Sequence, residues 1–382
     1  MRYTTAGESH GRALSAIVTG VPAGILVEAA SIDADLARRQ AGYGRGGRQR
    51  IESDTVTILS GVRFGRTIGS PVSLAVANRD WENWLDAMAV TGEKPEGIRE
   101  THPRPGHADL PGILKTRSND CRDILERASA RETAARVAAG GIAKAFLRHV
   151  DVTVRSTVLS IGGVRADAGV RLDEIDFDAA DASDVRCADP MTAHAMRDAI
   201  DEARNAGESL GGTFVVVATG LVPGLGSYAE ADRRLDAALA AALISIPAMK
   251  GVEFGLGFEA ARVPGSRAHD PISYDPSSGY HRLTNRAGGL EGGMTNGEPL
   301  VATVAMKPIP TLMSPLATVD IDTRQPADAS RERSDVCAVP AAAVVAEAEV
   351  AFVLARAYLS TFGGDAVGDI VESLSRYRSR IG

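Results

Sequence analysis

The stretch SARETAARVAAGGIAKAFLRH, residues 129–149, constrains this chain more than any other. Ala134, Ala135, Val137, Ala138, Ile142, Ala143, Phe146 and Leu147 recur with the period of an α-helix, and Ser129 stands three positions ahead of Glu132. That spacing predicts a capping box opening a buried helix. The first turn of such a helix leaves N–H groups without intrahelical partners at a positive dipole end. With Arg127 and Arg131 on either side of the cap, the terminus suits an anion such as phosphate. Taken alone, a plain structural cap between solvated arginines explains the stretch as well.

At 382 residues the chain can bury a sizeable core as one large domain or two ordinary ones. Hydrophobic content of 44% and charged content of 24% are those of a soluble globular protein, and 40 glycines imply many turns or close backbone approaches. The net charge of −7 argues against a general nucleic-acid binder, yet Arg38, Arg39, Arg45, Arg48 and Arg50 crowd one segment. A local arginine cluster on an acidic protein points to a small anionic ligand. Cys121, Cys187 and Cys337 are far apart and lack CxxC spacing, so neither a disulfide framework nor a zinc site is expected, and the compartment reads as reducing. The N-terminus has no apolar signal core. The apolar runs near 237–246 and 341–355 are too short, or too interrupted by Glu347 and Glu349, to span a bilayer. A cytoplasmic protein without membrane attachment is expected.

Polar loops punctuate the apolar segments. GESHG, residues 7–11, holds Glu8, Ser9 and His10 ahead of a strand around Ala16, Ile17 and Val18, a rigid place for a general acid. A short helix from Ser31 leads into GYGRGGRQR, where glycines fold the backbone and arginines offer planar forks for carboxylate or phosphate. A strand pair is expected within 55–78. In RPGHAD, Pro103 and Pro105 stiffen the backbone around Arg104 just before His107. Two stiff loops, each offering a histidine, make a shared site more probable than either alone.

Further on, strands are expected in VDVTVRSTVLSIGGV, GGTFVVVATG and KGVEFG, and helices over Thr192–Asn205 and Tyr228–Ile246. Residues 263–299 read as one long irregular span with a glycine run, GGLEGGMTNG, whose spacing does not fit a dinucleotide-binding turn. TVAMKPIPT ends a strand on Lys307. Arg331, Arg333 and Asp335 precede Pro340, the natural first residue of a long helix closed by Gly363; a carboxylate beside two arginines should stay ionised and can act as a base. With no repeat, low-complexity tract or linker, a single domain over 1–382 is favoured.

Together these loops resemble the chorismate synthase family over nearly the whole chain. GESHG with VPAG at 7–24, ERASARETA at 126–134 and RSDVCAVPAA at 333–342 are similar to its three signature regions in order, and GYGRGGR, RPGHAD, KGVEFG and GGLEGG add to them. Ala128, Pro247 and Pro310 depart from residues common in the family. The resemblance implies an α/β fold, a sandwich of helices layered between antiparallel sheets, assembled as a homotetramer. It implies loss of phosphate and a ring proton from 5-enolpyruvylshikimate 3-phosphate to give chorismate, the last common step of the shikimate pathway, requiring reduced FMN (FMNH2) without net redox change. By the same resemblance His10 and His107 are proton donors, His10 on the phosphate or flavin side, and Asp335 assists ring-proton removal through the flavin. Arg127, Ala128, Ser129, Pro247, Ala248, Gly292, Lys307, Pro308, Ile309, Pro310, Thr311 and Arg333 would hold FMN. Arg39, Arg45, Arg48, Arg104, Arg131 and Arg333 would hold the substrate, with Arg39 and Arg45 also meeting NADPH as reductant or ligand.

The chemistry agrees with the residues. Phosphate loss develops negative charge that arginines and an acid can stabilise, and no equally strong base for the ring C–H bond is in sight, a gap that a reduced flavin fills. A nucleotide-dependent phosphotransferase is a rival reading, but GxxxxGK[ST] and a clustered acidic magnesium site are missing from the sequence. RNA binding through the Arg-Gly loop is disfavoured by net acidity and only 4% aromatic residues. No separate reductase segment is apparent, so dependence on an external flavin reductase is expected.

Overall fold

The computed structural model of the chain describes residues 1–46, 53–95, 97–166, 175–276, 279–332 and 334–381. Alternation in ALSAIVT and VSLAVA places Leu14, Ala16, Val18, Val72, Leu74 and Val76 on one face, and all six are buried. They belong to the first sheet, built from β1 (Arg2–Ala6), β2 (Ala13–Thr19), β3 (Val56–Ser60) and β4 (Val72–Ala77) in the antiparallel order β1-β2-β4-β3. The second comprises β5 (Thr153–Ile161), β6 (Val164–Arg165), β7 (Gly212–Thr219), β8 (Met249–Phe254) and β9 (Leu300–Met306). Its order is β8-β9-β7-β5-β6, again antiparallel.

Three helices fill the space between the sheets: α1 (Ala29–Gln40), α4 (Thr133–Arg148) and α7 (Val339–Phe362). Helix α4 lies on β2 and β4, α7 lies on β5 and β7, and the two helices pack on each other with α1 against both. The expected sandwich of helices between antiparallel sheets is therefore present. Phe146, Leu147, Phe214 and Tyr358 are fully buried in the core, each such side chain contributing about 1.5–3 kcal/mol. Gly140 allows the close crossing, because a Cβ there would stand 2.3 Å from Ala348 Cβ.

The charges that interrupt the apolar run of α7 are satisfied in the core. Glu347 is fully buried and pairs with Arg38 at 2.8 Å and Lys144 at 2.9 Å. Burial alone would raise its carboxyl, but Lys144 and Arg38 hold it below the usual carboxylate range.

Further helices lie around this frame, among them α2 (Asp109–Thr116), α3 (Arg122–Ala128), α5 (Pro190–Ala206), α6 (Leu235–Ile244) and α8 (Val367–Ile381). Helix α6 is shorter than the 228–246 span expected, being preceded by a separate 3-10 turn at Ala231–Arg233. The 263–299 span is not one irregular loop either. It holds antiparallel hairpins pairing Ile272–Asp275 with Gly279–Arg282 and Leu290–Glu291 with Met294–Thr295. Gly292 and Gly293, with φ of +59° and +86°, make the two-residue turn of the second hairpin. No described helix is long and apolar enough to cross a membrane.

Candidate active site

Loops from both sheets and the N-terminal ends of α4 and α7 meet around one cavity of about 600 Å³. Among the described residues its wall carries seven cationic side chains, Arg39, Arg45, Arg104, Arg127, Arg131, Arg136 and Lys307, against three acidic ones, Glu132, Glu332 and Asp335. That surplus draws anions. His10 and His107 are on the same wall, so the two stiff histidine loops do share a site.

His10 lies in the β1–β2 loop with its Nδ1 2.8 Å from Glu126 Oε1, and its backbone N–H donates to Glu126 Oε2 at 2.8 Å. Its ring stacks on Trp84, with centroids 3.8 Å apart and an interplanar angle of 24°. From the other side Asn78 pins the loop: its Nδ2 donates to Gly11 O at 2.7 Å, while its Oδ1 accepts from Arg131 Nε at 2.8 Å. Burial would raise the Glu126 carboxyl, but the hydrogen bond and charge of His10 hold it below its ordinary value.

His107 has the same construction. Its Nδ1 lies 2.5 Å from Asp109 Oδ1 and 3.0 Å from Arg104 Nη2; the closer, anionic partner assigns the proton to Nδ1. Arg104 donates from Nε to Asp109 Oδ2 at 2.9 Å, from Nη2 to Asp109 Oδ1 at 3.2 Å and from Nη1 to Thr311 Oγ1 at 3.1 Å, so all three of its nitrogens are engaged. Despite burial, which would raise it, the Asp109 carboxyl is held well below the usual range by His107 and Arg104. A histidine backed by a carboxylate at Nδ1 can carry a second proton on Nε2 and deliver it.

The floor is an ion triad. Asp54 accepts from Arg39 Nη2 at 2.6 Å and from Arg131 Nη1 at 2.7 Å, so two guanidinium groups share one carboxylate. Arg39 belongs to the last turn of α1 rather than to a loop. Burial, and then the like charges of Arg131 and Arg45, lower its guanidinium to about 10 against the pull of Asp54, so it stays cationic at neutral pH. Nearby, Arg45 Nη1 pairs with Asp335 Oδ2 at 2.8 Å, and Asp335 Oδ1 accepts the Gly46 N–H at 2.6 Å. Arg45 thus takes the place expected of Arg331, which is exposed. Among the described residues Arg39 Nε and Arg45 Nε are buried without a hydrogen-bond partner, and an unpaired guanidinium nitrogen at a cavity calls for a ligand acceptor.

Of the proposed flavin contacts, Arg127, Ala128, Ser129, Pro247, Ala248, Lys307, Ile309, Pro310 and Thr311 line the cavity, whereas Pro308 does not. Ala248 is held at φ +70°, uncommon for a residue with a side chain, and its carbonyl accepts the Lys307 N–H at 3.0 Å. Gly292 is not among the residues lining this cavity; it sits in its hairpin turn, and a Cβ there would meet nothing within 4 Å. Arg48 and Arg333 lie outside the described residues.

The capping box is corrected. Ser129 caps a 3-10 turn, Ala130–Glu132, by accepting the Arg131 N–H, and α4 begins only at Thr133. Glu132 does not fold back on Ser129 but takes Arg136 Nε at 2.9 Å and Thr5 Oγ1 at 2.7 Å, because a buried carboxylate gains more from a guanidinium than from a neutral amide.

Sequence reasoning missed Asp54, Asn78, Trp84, Asp109 and Glu126 as supports of the site. Asp109 and Glu126 were in reach, since they stand inside RPGHAD and ERASARETA, whose histidine and arginines drew the attention. Asp54 and Asn78 meet their partners only through the fold. Among the described residues no group of three or more His, Cys, Asp or Glu is placed to hold a metal.

A family model described as "Chorismate synthase" matches residues 1–359. The chain is 58% identical to the chorismate synthase of Moorella thermoacetica, covering 99% of this chain and 98% of that protein. It is 57% identical to the chorismate synthase of Symbiobacterium thermophilum, with 100% and 99% covered. A solved structure titled "Crystal Structure of Chorismate Synthase" superposes with a TM-score of 0.81 at 41% identity, covering 100% of this chain and 98% of that one. With the family matched over nearly its whole length, the chain belongs to the chorismate synthase family.

Proposed function

We propose that this cavity takes 5-enolpyruvylshikimate 3-phosphate and reduced FMN, and that the chain is a carbon–oxygen lyase eliminating phosphate and a ring proton in anti-1,4 fashion to give chorismate. The observation that carries the reading is the pairing of two carboxylate-backed histidines with an arginine-lined floor in one cavity. A substrate with two carboxylates and a phosphate needs several cationic donors, and Arg39 and Arg45 each keep a buried nitrogen unused.

The residues present fit a flavin mononucleotide. Leu125, Ile246, Met306 and Val345 give one part of the wall an apolar character suited to a flat ring, while Arg127 and Lys307 suit a phosphate tail. When bound, reduced FMN supplies an electron-rich ring beside the substrate's breaking bonds. The protein's own residues do the rest. Arg39 and Arg45 hold the substrate's anionic groups and stabilise the departing phosphate, each strong preorganised donor being worth about 3–4 kcal/mol. His107 and His10 each hold a proton at Nε2, with Asp109 and Glu126 stabilising the imidazolium forms, and one of these protons goes to the departing phosphate. Asp335, held by Arg45 and the Gly46 amide, is the carboxylate toward which the ring proton leaves. Arg104 and Arg131 act by holding His107 and the floor, since their nitrogens are already bonded within the protein.

Arg39 and Arg45 line the same cavity as the other contacts, so NADPH meeting them would occupy this site. We further propose a single domain, supported by one continuous core that joins both sheets, a homotetramer, a cytoplasmic location and supply of reduced FMN by an external reductase. Anaerobic phosphate release from 5-enolpyruvylshikimate 3-phosphate, with and without dithionite-reduced FMN, tests the reading. Flavin-dependent release with chorismate absorbance is expected, and none from folded, FMN-binding protein would sink it.

A further inference from the structure

Arg122, the first residue of α3, stands behind the cavity wall yet touches the surroundings of two of the three proposed proton-handling groups, His10 and Asp335. Its Nη1 donates at 3.1 Å to Glu126 Oε1, the oxygen that faces His10 Nδ1 at 2.8 Å. Its guanidinium carbon lies 5.2 Å from the centre of the Trp84 ring on which His10 stacks. Its Nη2 reaches Glu332 Oε1 at 3.3 Å, three residues ahead of Asp335. Side-chain exposure of 15% for Arg122 and 24% for Glu332 limits solvent screening of this pair.

We propose that Arg122 is a positioning residue that fixes the His10 ring and the Asp335 segment relative to one another; this rests on the roles given to His10 and Asp335 above. Each segment also has an anchor of its own. Asn78 holds the His10 loop, and the Val336 N–H donates to Gly44 O at 2.8 Å beside the Arg45–Asp335 pair. Arg122 adds an ionic strut between them. An elimination needs its proton donor and acceptor in register, and a displacement of about 1 Å can cost roughly 100-fold in rate. Only a planar fork can bridge two carboxylates while lying over an indole, so lysine is a poor substitute.

The test is steady-state phosphate release with reduced FMN by wild type, H10A, R122Q, R122K, E332Q and R122Q/E332Q, with thermal unfolding of each. Wild-type turnover that falls in H10A establishes the underlying reading. An inactive wild type or an unimpaired H10A overturns that reading and the proposal with it, a failure seen before Arg122 is touched. With the reading standing, R122Q is expected to lose about tenfold or more in kcat with KM within about twofold. R122K should recover part of the loss, and the double variant should be no slower than R122Q. A kcat for R122Q within twofold of wild type, a loss confined to KM, or additive effects in the double variant would overturn the strut. If R122Q does not fold, E332Q decides, because it leaves the Arg122–Glu126 pair intact: a lowered kcat supports the strut and an unchanged one overturns it.

Discussion

His107 Nδ1 lies 2.5 Å from Asp109 Oδ1, and Asp109 is completely buried. The carboxylate fixes which ring nitrogen holds the resting proton. Asp109→Asn keeps the shape but removes the charge that supports an imidazolium, so kcat is expected to fall about tenfold to a thousandfold. His107→Ala should lose about 100- to 10,000-fold. Anaerobic phosphate release measures both; an Asp109→Asn rate equal to wild type would remove Asp109 from the mechanism.

Asp54 is expected to matter more for stability than its distance from the reacting atoms implies. It is the carboxylate shared by Arg39 and Arg131, and Asp54→Asn would take that charge from two buried guanidinium groups at once. Breaking a buried pair costs about 3–5 kcal/mol. Urea unfolding should show a loss of that size, and a midpoint unchanged from wild type would contradict the triad's role.

Arg39→Lys should weaken substrate binding more than it harms the fold. Lysine can still meet Asp54 but cannot also present the spare nitrogen, and a charged hydrogen bond is worth about 1.5–3 kcal/mol. Calorimetry should show affinity for 5-enolpyruvylshikimate 3-phosphate lowered about tenfold or more. Unaltered affinity would mean that the unpaired Nε serves no ligand.

Acid should destabilise the fold. Asp109, Glu126 and Glu347 all have carboxyls depressed below their ordinary values. The unfolded chain therefore binds more protons as pH drops through the ordinary carboxylate range, and the stability these groups contribute above that range is lost progressively below it. Thermal midpoints should be flat near neutral pH and fall below about pH 5; a midpoint that rises on acidification would contradict the assignment.

With oxidised FMN and NADPH alone under air, no turnover is expected, whereas chemically reduced FMN should support it anaerobically. Chorismate formation followed by absorbance distinguishes the two. Sustained aerobic turnover without a partner enzyme would show that the chain reduces its own flavin.

What the sequence made legible was local. The period of residues 134–147 marked a buried helix, Pro340 and Gly363 bounded α7 closely, and alternation marked the strands. Both histidine loops were visible because Gly and Pro restrict the backbone around them. What it hid was pairing over distance. Nothing near Asp54 announces that Arg131, 77 residues on, will share it, or that Asp335 would pair with Arg45. Glu132 misled because its spacing from Ser129 fits a cap, while the fold brings it a guanidinium and a threonine hydroxyl. Nor does the spacing of the glycine run announce the hairpin whose two-residue turn takes Gly292 and Gly293 at positive φ.

The N-terminal ends of α4 and α7 form part of the cavity wall, and the same helices cross at Gly140 and Ala348 in the centre of the core. That wall therefore has no private way of opening. Beyond their first turns, the amide hydrogens of these two helices should exchange with solvent only when the whole protein unfolds, so any breathing that admits substrate and releases chorismate belongs to the loops opposite.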